Sequence, residues 1–314
     1  MASYLVKKLI NLFIAFFITV SLTFFLMKSI PGDPFTSPKG IPQEIIDAMH
    51  RHYGLDQPLH VQYSQYLKSV FKGDLGPSFK YKDRRVSEMI FSHFPVSARL
   101  GLQALALSII CGIFLGAFAA YFHKKWQDNA IMFLVTLMIA VPSFLLATFL
   151  QYFFAIKLGW LPIARWGSFA QTILPTLALS ALPTVFIAQL MRASIIETLQ
   201  NDYIKKAKAK GLRTRRIFFA HILPNALLPT LSFLGFYVGM VLTGSFVIEK
   251  IYGIPGLGQV LIHAVNNRDY SVIMGITIFG SAIFLFTVFL SDLLIMALDP
   301  KLRTYKMRPI NAFG

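Results

Sequence analysis

An all-α, polytopic membrane protein with six transmembrane helices and both termini in the cytoplasm is predicted by three observations. Only 14% of the 314 residues are charged while 55% are hydrophobic, with mean hydropathy +0.60; an ordinary soluble domain carries roughly 25% charged residues. Six runs free of Asp, Glu, Lys and Arg each approach or exceed the roughly 20 residues that a helix needs to cross the hydrocarbon. Lys and Arg are divided unequally between the stretches separating those runs. The composition excludes disorder, a collagen-like repeat and a disulfide scaffold, since Cys111 is the single cysteine.

The runs fall at 9–27, 100–122, 130–156, 170–191, 222–248 and 270–291. The first follows Lys7 and Lys8 as a signal peptide would. Its apolar core is too long for one and no small-residue cleavage site follows Met27, so it reads as a retained span. Pro142 interrupts the third run, and Pro224 and Pro229 the fifth, as kinks or as true helix starts. Gly112/Gly116 and Gly235/Gly239 have the four-residue spacing that lets helices approach closely in lipid. Asp292, at the end of the sixth run, is the ionisable candidate within a span, and capping or pairing with a cytoplasmic cation is its expected role. Gln103, Gln151 and Gln189 are expected to hydrogen-bond between helices.

Orientation follows from the cations. One alternate set of loops holds sixteen Lys and Arg and the other four, leaving aside segment 28–99, whose ten are spread over a stretch longer than the 60 or so residues within which the rule operates. The chain then divides into an N-terminus with the first helix (1–27), an extracytoplasmic segment (28–99), a transmembrane core (100–298) with a cytoplasmic loop at 192–221, and a cytoplasmic tail (299–314). Within 28–99, helical stretches are expected at 42–52, 58–71 and 85–94, with His50, His52 and His60 as surface residues. The net charge of +16 belongs to loops beside a lipid surface; no zinc-finger spacing or ribonucleoprotein signature points to nucleic acid.

The loop at 192–221 is the most informative stretch. Ile195, Ile196, Leu199 and Tyr203 recur at helical spacing and extend the fourth span below the membrane. A short helix of small and cationic residues then covers 204–210, and Gly211 stops it by tolerating a left-handed conformation. A second helix returns through Phe218 and Phe219. Ala207 and Ala209 leave the backbone approachable, and Lys205, Lys206, Lys208 and Lys210 form a positive collar. This suits insertion into a groove on a separate cytoplasmic protein. The alternative is a basic loop lying on anionic headgroups, where each cation contributes about 1 kcal/mol.

Asp202-Tyr203-Ile204 followed by Ala207-Lys208-Ala209-Lys210-Gly211-Leu212, with Leu223 and Pro224 at matching distance, resembles the coupling loop of binding-protein-dependent ABC importer permeases. The version here is that of the dipeptide/oligopeptide family, most similar to the first of the two oligopeptide permease subunits. Lys205-Lys206 and His221 depart from the general pattern of Glu-Ala and Ile. The resemblance extends along the chain through Pro31-Gly32-Asp33-Pro34, the stretches 73–78 and 94–97, the stretch 248–258, Asn267-Arg268-Asp269-Tyr270 and Asp299-Pro300-Lys301-Leu302-Arg303.

The resemblance implies a type I ABC importer permease fold in a bacterial cytoplasmic (inner) membrane. It implies a translocation subunit for oligopeptides that is not itself an enzyme, with Asp202, Tyr203, Ile204, Ala207, Ala209, Lys210, Gly211, Leu223 and Pro224 coupling it to two P-loop ATPase subunits. ATP and Mg are expected on those subunits, since this chain has no Gly-x-x-x-x-Gly-Lys-[Ser/Thr] loop. A second, different permease subunit and an extracytoplasmic peptide-binding protein complete the implied assembly; the position of segment 28–99 suggests that it receives that protein or guards the pathway mouth. Stretch 253–258 has the wrong glycine spacing for a nucleotide site and reads as a tight external re-entrant turn. The alternative function is an autonomous ion-coupled secondary transporter of peptides, a class that usually shows internal repeats; none is visible between the first and last three spans.

Overall fold

In lipid, backbone N–H and C=O groups must find partners inside the chain. The computed structural model, which describes residues 2–35 and 42–298, satisfies them almost wholly within helices. In order these are α1 (Ala2–Ser29), α2 (Gln43–His52), α3 (Leu59–Phe71), α4 (Val86–Tyr121), α5 (Trp126–Ala140), α6 (Ser143–Leu150), α7 (Phe169–Gln200), α8 (Asp202–Ala209), α9 (Thr214–Ile217), α10 (Leu223–Leu242), α11 (Phe246–Tyr252), α12 (Leu257–Asn266) and α13 (Tyr270–Leu298). Short π-helical stretches, Gln151–Lys157 and Phe218–Ile222, continue α6 and lead into α10.

Among the described residues, five helices are long and apolar enough to cross a bilayer: α1, α4, α7, the stretch Thr214–Leu242 and α13. A sixth crossing exists only if α5 and α6 with its π-helical extension count as one span, bent by 101°. The bend lies where Pro142 was expected to interrupt the run. Val141, sterically barred from the helical region by the proline that follows, takes ψ 117°.

Two sequence boundaries need correction. The fifth run was expected to span 222–248, but α10 ends at Leu242 and the chain turns at Gly244 before α11. Thr243-Gly244-Ser245 is too short and too neutral to break an apolar run by composition, and Phe246-Val247-Ile248 resumes it. The stretch 85–94 is not a separate helix of an extracytoplasmic segment. It is the first part of α4, which continues through Pro95 and Arg99 for 36 residues, about 54 Å at 1.5 Å per residue and far more than a bilayer of roughly 30 Å. The division at 99/100 therefore cuts a continuous helix. The motif at 299–303 and the tail 299–314 lie outside the described residues.

The glycine pairs do what their spacing predicts. A Cβ at Gly112 or Gly116 of α4 would stand 2.6 Å from the Ile187 side chain or 2.5 Å from the Ala188 carbonyl of α7. On α10, Gly235 and Gly239 admit Ser291, Thr287 and Phe284 of α13 in the same way. Hydroxyls lock these contacts, Ser108 donating to the Ser180 carbonyl at 3.1 Å and Ser291 to Leu231 at 3.0 Å, and Tyr237 ties α10 to α7 by donating to Leu179 at 3.1 Å. Lys8 of α1 pairs with Asp292 of α13, the cationic partner expected for that carboxylate. Gln103 accepts from Thr176 at 3.4 Å across α4 and α7, and Gln151 donates to the Ile163 carbonyl at 2.6 Å. α3 runs back along α1: the Ser21 and Tyr63 hydroxyls lie 2.6 Å apart, and Phe71 stacks on Phe13. His50 is not a bare surface residue, for its ring faces the Asp33 carboxylate at 2.5 Å.

Candidate functional site: the docking helix and the opposite hairpin

At one end of the bundle α7 runs on to Gln200, and the extended Asn201 (ψ 141°) turns the chain into α8. Two side chains hold α8 to the molecule. Ile204 is fully buried and Ala207 nearly so, in a cluster with Met191 and Ile195 of α7, Ile217, Ile222 and Ala226. The helix ends in a Schellman turn: Leu212 N–H donates to Ala207 O at 3.3 Å and Gly211 N–H to Lys208 O at 3.0 Å, with Gly211 at φ +74°. Gly211 is thus the predicted stop, in the predicted conformation.

The other expected coupling residues divide by exposure. Asp202, Tyr203, Ala209 and Lys210 are exposed, as are Lys205, Lys206 and Lys208. Asp202 accepts from Lys205 Nζ at 2.9 Å. Ala207 is the correction: it faces inward and anchors the helix, so Ala209 and Gly211 provide the low outer surface. A run of small residues carries no direction by itself, and only the partner cluster decides which alanine is buried. Leu223 packs against that cluster, while Pro224 is exposed at the start of α10. Asn225 donates to the His221 carbonyl at 2.7 Å, covering an acceptor near the proline. Tyr203, Asn201, Pro224, Asn225 and Leu228 border a cavity of about 490 Å³ that continues to Leu298.

A buried ion pair braces the same end. Arg192 of α7 grips Asp128, in the first turn of α5, through Nε at 2.6 Å and Nη2 at 2.7 Å. The Asp128 side chain is only 2% exposed. Bidentate charge-assisted pairs of this kind are among the strongest polar contacts. Sequence reading counted Arg192 only as a loop cation; an Asp at a helix start was its one available sign.

At the opposite end, α11 and α12 form a hairpin turned by Gly253 at φ +61°, the tight turn expected at 253–258. Its centre is Glu249, fully buried. Ser97 of α4 donates to one carboxylate oxygen at 2.7 Å and the Gln259 N–H to the other at 3.2 Å, while Ser97 Oγ also receives the Leu257 N–H at 2.8 Å. Gly244, Gly256 and Gly258 close round the carboxyl: a Cβ on Gly258 would stand 2.9 Å from it, and one on Gly244 2.8 Å. Burial pushes this carboxyl above the ordinary carboxylate range, opposed by the hydrogen bonds from Ser97 and backbone N–H groups. Sequence reading missed Glu249, because its partner Ser97 lies 152 positions away; an acid between an apolar run and a glycine series was the only local signal. Beneath the hairpin lies a mostly apolar cavity of about 700 Å³, bordered by Leu179, Tyr237, Thr243, Phe246, Thr277 and Phe284.

The family described as the inner membrane component of binding-protein-dependent transport systems matches residues 112–304, and the N-terminal part of such components matches residues 1–101. The chain belongs to this family. The permease is 43% identical over 306 residues to the dipeptide transport system permease protein DppB of Bacillus subtilis, spanning 98% of this chain and 99% of that one. It is 40% identical to the oligopeptide transport system permease protein OppB of Salmonella typhimurium, over 96% of this chain and all of the relative. Its fold matches solved structures of an amino acid ABC transporter with histidines (TM-score 0.51, 16% identity) and of the MetNI methionine ABC transporter (TM-score 0.53, 15% identity). Each covers 68% of this chain, and 94% and 97% of the respective solved chains. The permease is a multi-pass inner-membrane protein.

Proposed function

We propose that the permease is the translocation subunit of an ATP-driven peptide importer, and that α8 is the helix through which separate cytoplasmic ATPases drive it. One observation carries this reading: α8 buries only Ile204 and Ala207 and leaves its other side chains exposed, between two stalks that run into the membrane. A pull on α8 is transmitted through the Ile204 cluster to α7 and the start of α10, and through Arg192 and Asp128 to α5. The peptide assignment rests on relatives whose names specify dipeptide and oligopeptide transport.

On this reading both termini and α8 are cytoplasmic, and the α11–α12 hairpin faces the extracytoplasmic peptide-binding protein. A second permease subunit, different from this one, completes the pathway. ATP and Mg are bound by the ATPases, and this chain catalyses no reaction. The secondary-transporter alternative has no specific support, since its candidate carboxylate, Asp292, is paired with Lys8.

The test is Gly211→Val. Nothing lies within 4 Å of a Cβ there, so the substitution acts through the left-handed backbone and not through a clash, at roughly 1–2 kcal/mol. Binding-protein-dependent peptide uptake should be lost while the protein remains inserted and associated with its partners. Undiminished uptake would overturn the docking role of α8.

A further inference from the structure

The cavity beneath the hairpin, about 700 Å³, lies beside the break in a span. Val135 of α5 packs on Val185 and Ala188 of α7, while Ala147 of α6 packs with Leu174 and Ala178 of the same helix. The break at Val141-Pro142 therefore stands level with the middle of the apolar run 170–191, not at its edge. Pro142 offers no N–H to the carbonyl of Met138, and Ala140, Val141, Pro142 and Ser143 are all exposed. Irregular backbone at this depth is stable only against protein or beside a cavity that water enters. Ser143, the first residue of α6, borders this one. The cavity admits polar guests between its apolar walls.

None of the described residues bordering it is Asp, Glu, Lys, Arg or His. Its polar side chains are hydroxyls. Of the seven, five already donate to backbone carbonyls: Thr19 to Ala15 at 2.9 Å, Tyr237 to Leu179 at 3.1 Å, Thr243 to Met240 at 2.9 Å, Thr277 to Ile273 at 2.8 Å and Ser281 to Thr277 at 2.7 Å. A hydroxyl whose proton is engaged keeps a free lone pair, so it meets a guest as an acceptor.

Three of these oxygens stand together. Thr277 and Ser281 are one helical turn apart on the cavity face of α13. Gly280 also borders the cavity there, and a Cβ on it would be 3.2 Å from the Thr243 methyl. The end of α10 is thereby brought against the same patch of α13. None of the three is sealed, for each is half-buried and reached from the cavity.

We propose that Thr243, Thr277 and Ser281 form an acceptor patch for the amide N–H groups of a peptide in transit. This rests on the importer reading and names where its substrate meets the chain. A peptide that leaves water brings backbone N–H groups, and each one buried without an acceptor costs about as much as a lost hydrogen bond. The patch supplies the acceptors. A cationic group would leave water here without a counter-charge, and an anion would face only lone pairs. Neutral N–H donors are the chemistry that fits, and they recur along a peptide whatever its side chains.

The test reconstitutes the complete importer in liposomes, with its binding protein at saturation. Uptake of trialanine is compared with that of its depsipeptide, in which an ester oxygen replaces one amide N–H. Thr277→Val/Ser281→Ala removes two acceptors; both hydroxyls donate only within α13, so the helix keeps its own backbone bonds. Thr243→Val removes the third acceptor singly, and Thr277→Ser keeps the oxygen. The ratio of trialanine to depsipeptide uptake should fall about fivefold in the double variant, the worth of one hydrogen bond. It should fall in Thr243→Val as well, and hold at the wild-type value in Thr277→Ser. A ratio unchanged in both acceptor-deficient variants would overturn the patch even if total uptake drops, because a merely structural role slows both substrates alike. Absence of ATP-dependent uptake by the wild type would overturn the importer reading itself, and the patch with it.

Discussion

The two ends of the bundle each carry a short helix closed by a left-handed glycine, yet they are fastened by opposite means. α8 is held by apolar contact through Ile204 and Ala207, with its charges in solvent. α11 is held by one buried carboxylate, Glu249, whose oxygens take hydrogen bonds from Ser97 and backbone N–H groups inside a ring of glycines. Apolar contacts are non-directional and tolerate small displacements. A buried carboxylate with fixed donors has one good geometry, and leaving it strands every donor at once. The α8 end is built as a joint and the hairpin as a fixed closure over the 700 Å³ cavity.

The largest effect should come from Glu249→Ala. It strands Ser97 Oγ and the Gln259 N–H in a site without solvent, each at about 1–3 kcal/mol, so the purified complex should lose about 3 kcal/mol or more. Glu249→Gln, which keeps one acceptor oxygen, should lose less. Thermal unfolding of the two variants side by side measures the difference. An unchanged unfolding temperature in Glu249→Ala would break the contrast between closure and joint.

Asp128→Asn comes next, because it removes the charge on which Arg192 closes. Truncating one partner of a fully buried pair costs about 3–5 kcal/mol; with the Arg192 side chain 27% exposed to solvent, about 2 kcal/mol is expected. If α5 moves with α7 through this pair, ATP hydrolysis by the reconstituted complex should also become less tightly linked to uptake. A loss of stability with hydrolysis and uptake still in proportion would confine the pair to a structural role.

Much of this architecture was legible along the chain, and the remainder fails for one physical reason. Helical spans declare themselves because a run without charge is a local property, and Pro142 marks the break in the third run. Gly112/Gly116 and Gly235/Gly239 are legible as pairs, since close approach needs both on one face. The end of α10 at Leu242, the burial of Ala207 and the cradle of Glu249 depend on residues remote in sequence. Ser97 meets Glu249 across 152 positions, and no window along the chain contains both. Even the boundary at 99/100 was drawn from local charge alone, at Arg99, while α4 continues through Pro95 and Arg99 as one helix.

Gly211 separates the two ends more finely. Gly211→Val should cost only roughly 1–2 kcal/mol of backbone strain, less than the loss at Glu249, and yet abolish uptake. Gly211→Asn tests whether the conformation alone matters, because Asn enters the left-handed region more readily than other side chains. Uptake should recover substantially in Gly211→Asn. If both variants transport equally poorly, the outer surface at Gly211 must be bare of any side chain, and shape replaces conformation as the requirement at the joint.

The smallest effect is expected on the α8 surface itself. Lys205 pairs with Asp202 at 2.9 Å, but both side chains are largely in solvent, 68% and 82% exposed. Such i,i+3 surface pairs contribute about 0.3–0.5 kcal/mol, so Lys205→Ala should leave the unfolding temperature nearly unmoved. Its effect belongs to docking: if the positive collar meets an acidic groove on an ATPase, removing one cation should weaken ATPase association by a factor that shrinks as salt is raised. Measuring ATPase binding to the solubilised permease at low and high ionic strength separates the possibilities. A salt-independent loss would mean that the Lys205 stem packs against the partner. No loss at either ionic strength would leave docking to Tyr203, Ala209 and Gly211, and make the collar a feature of the membrane surface.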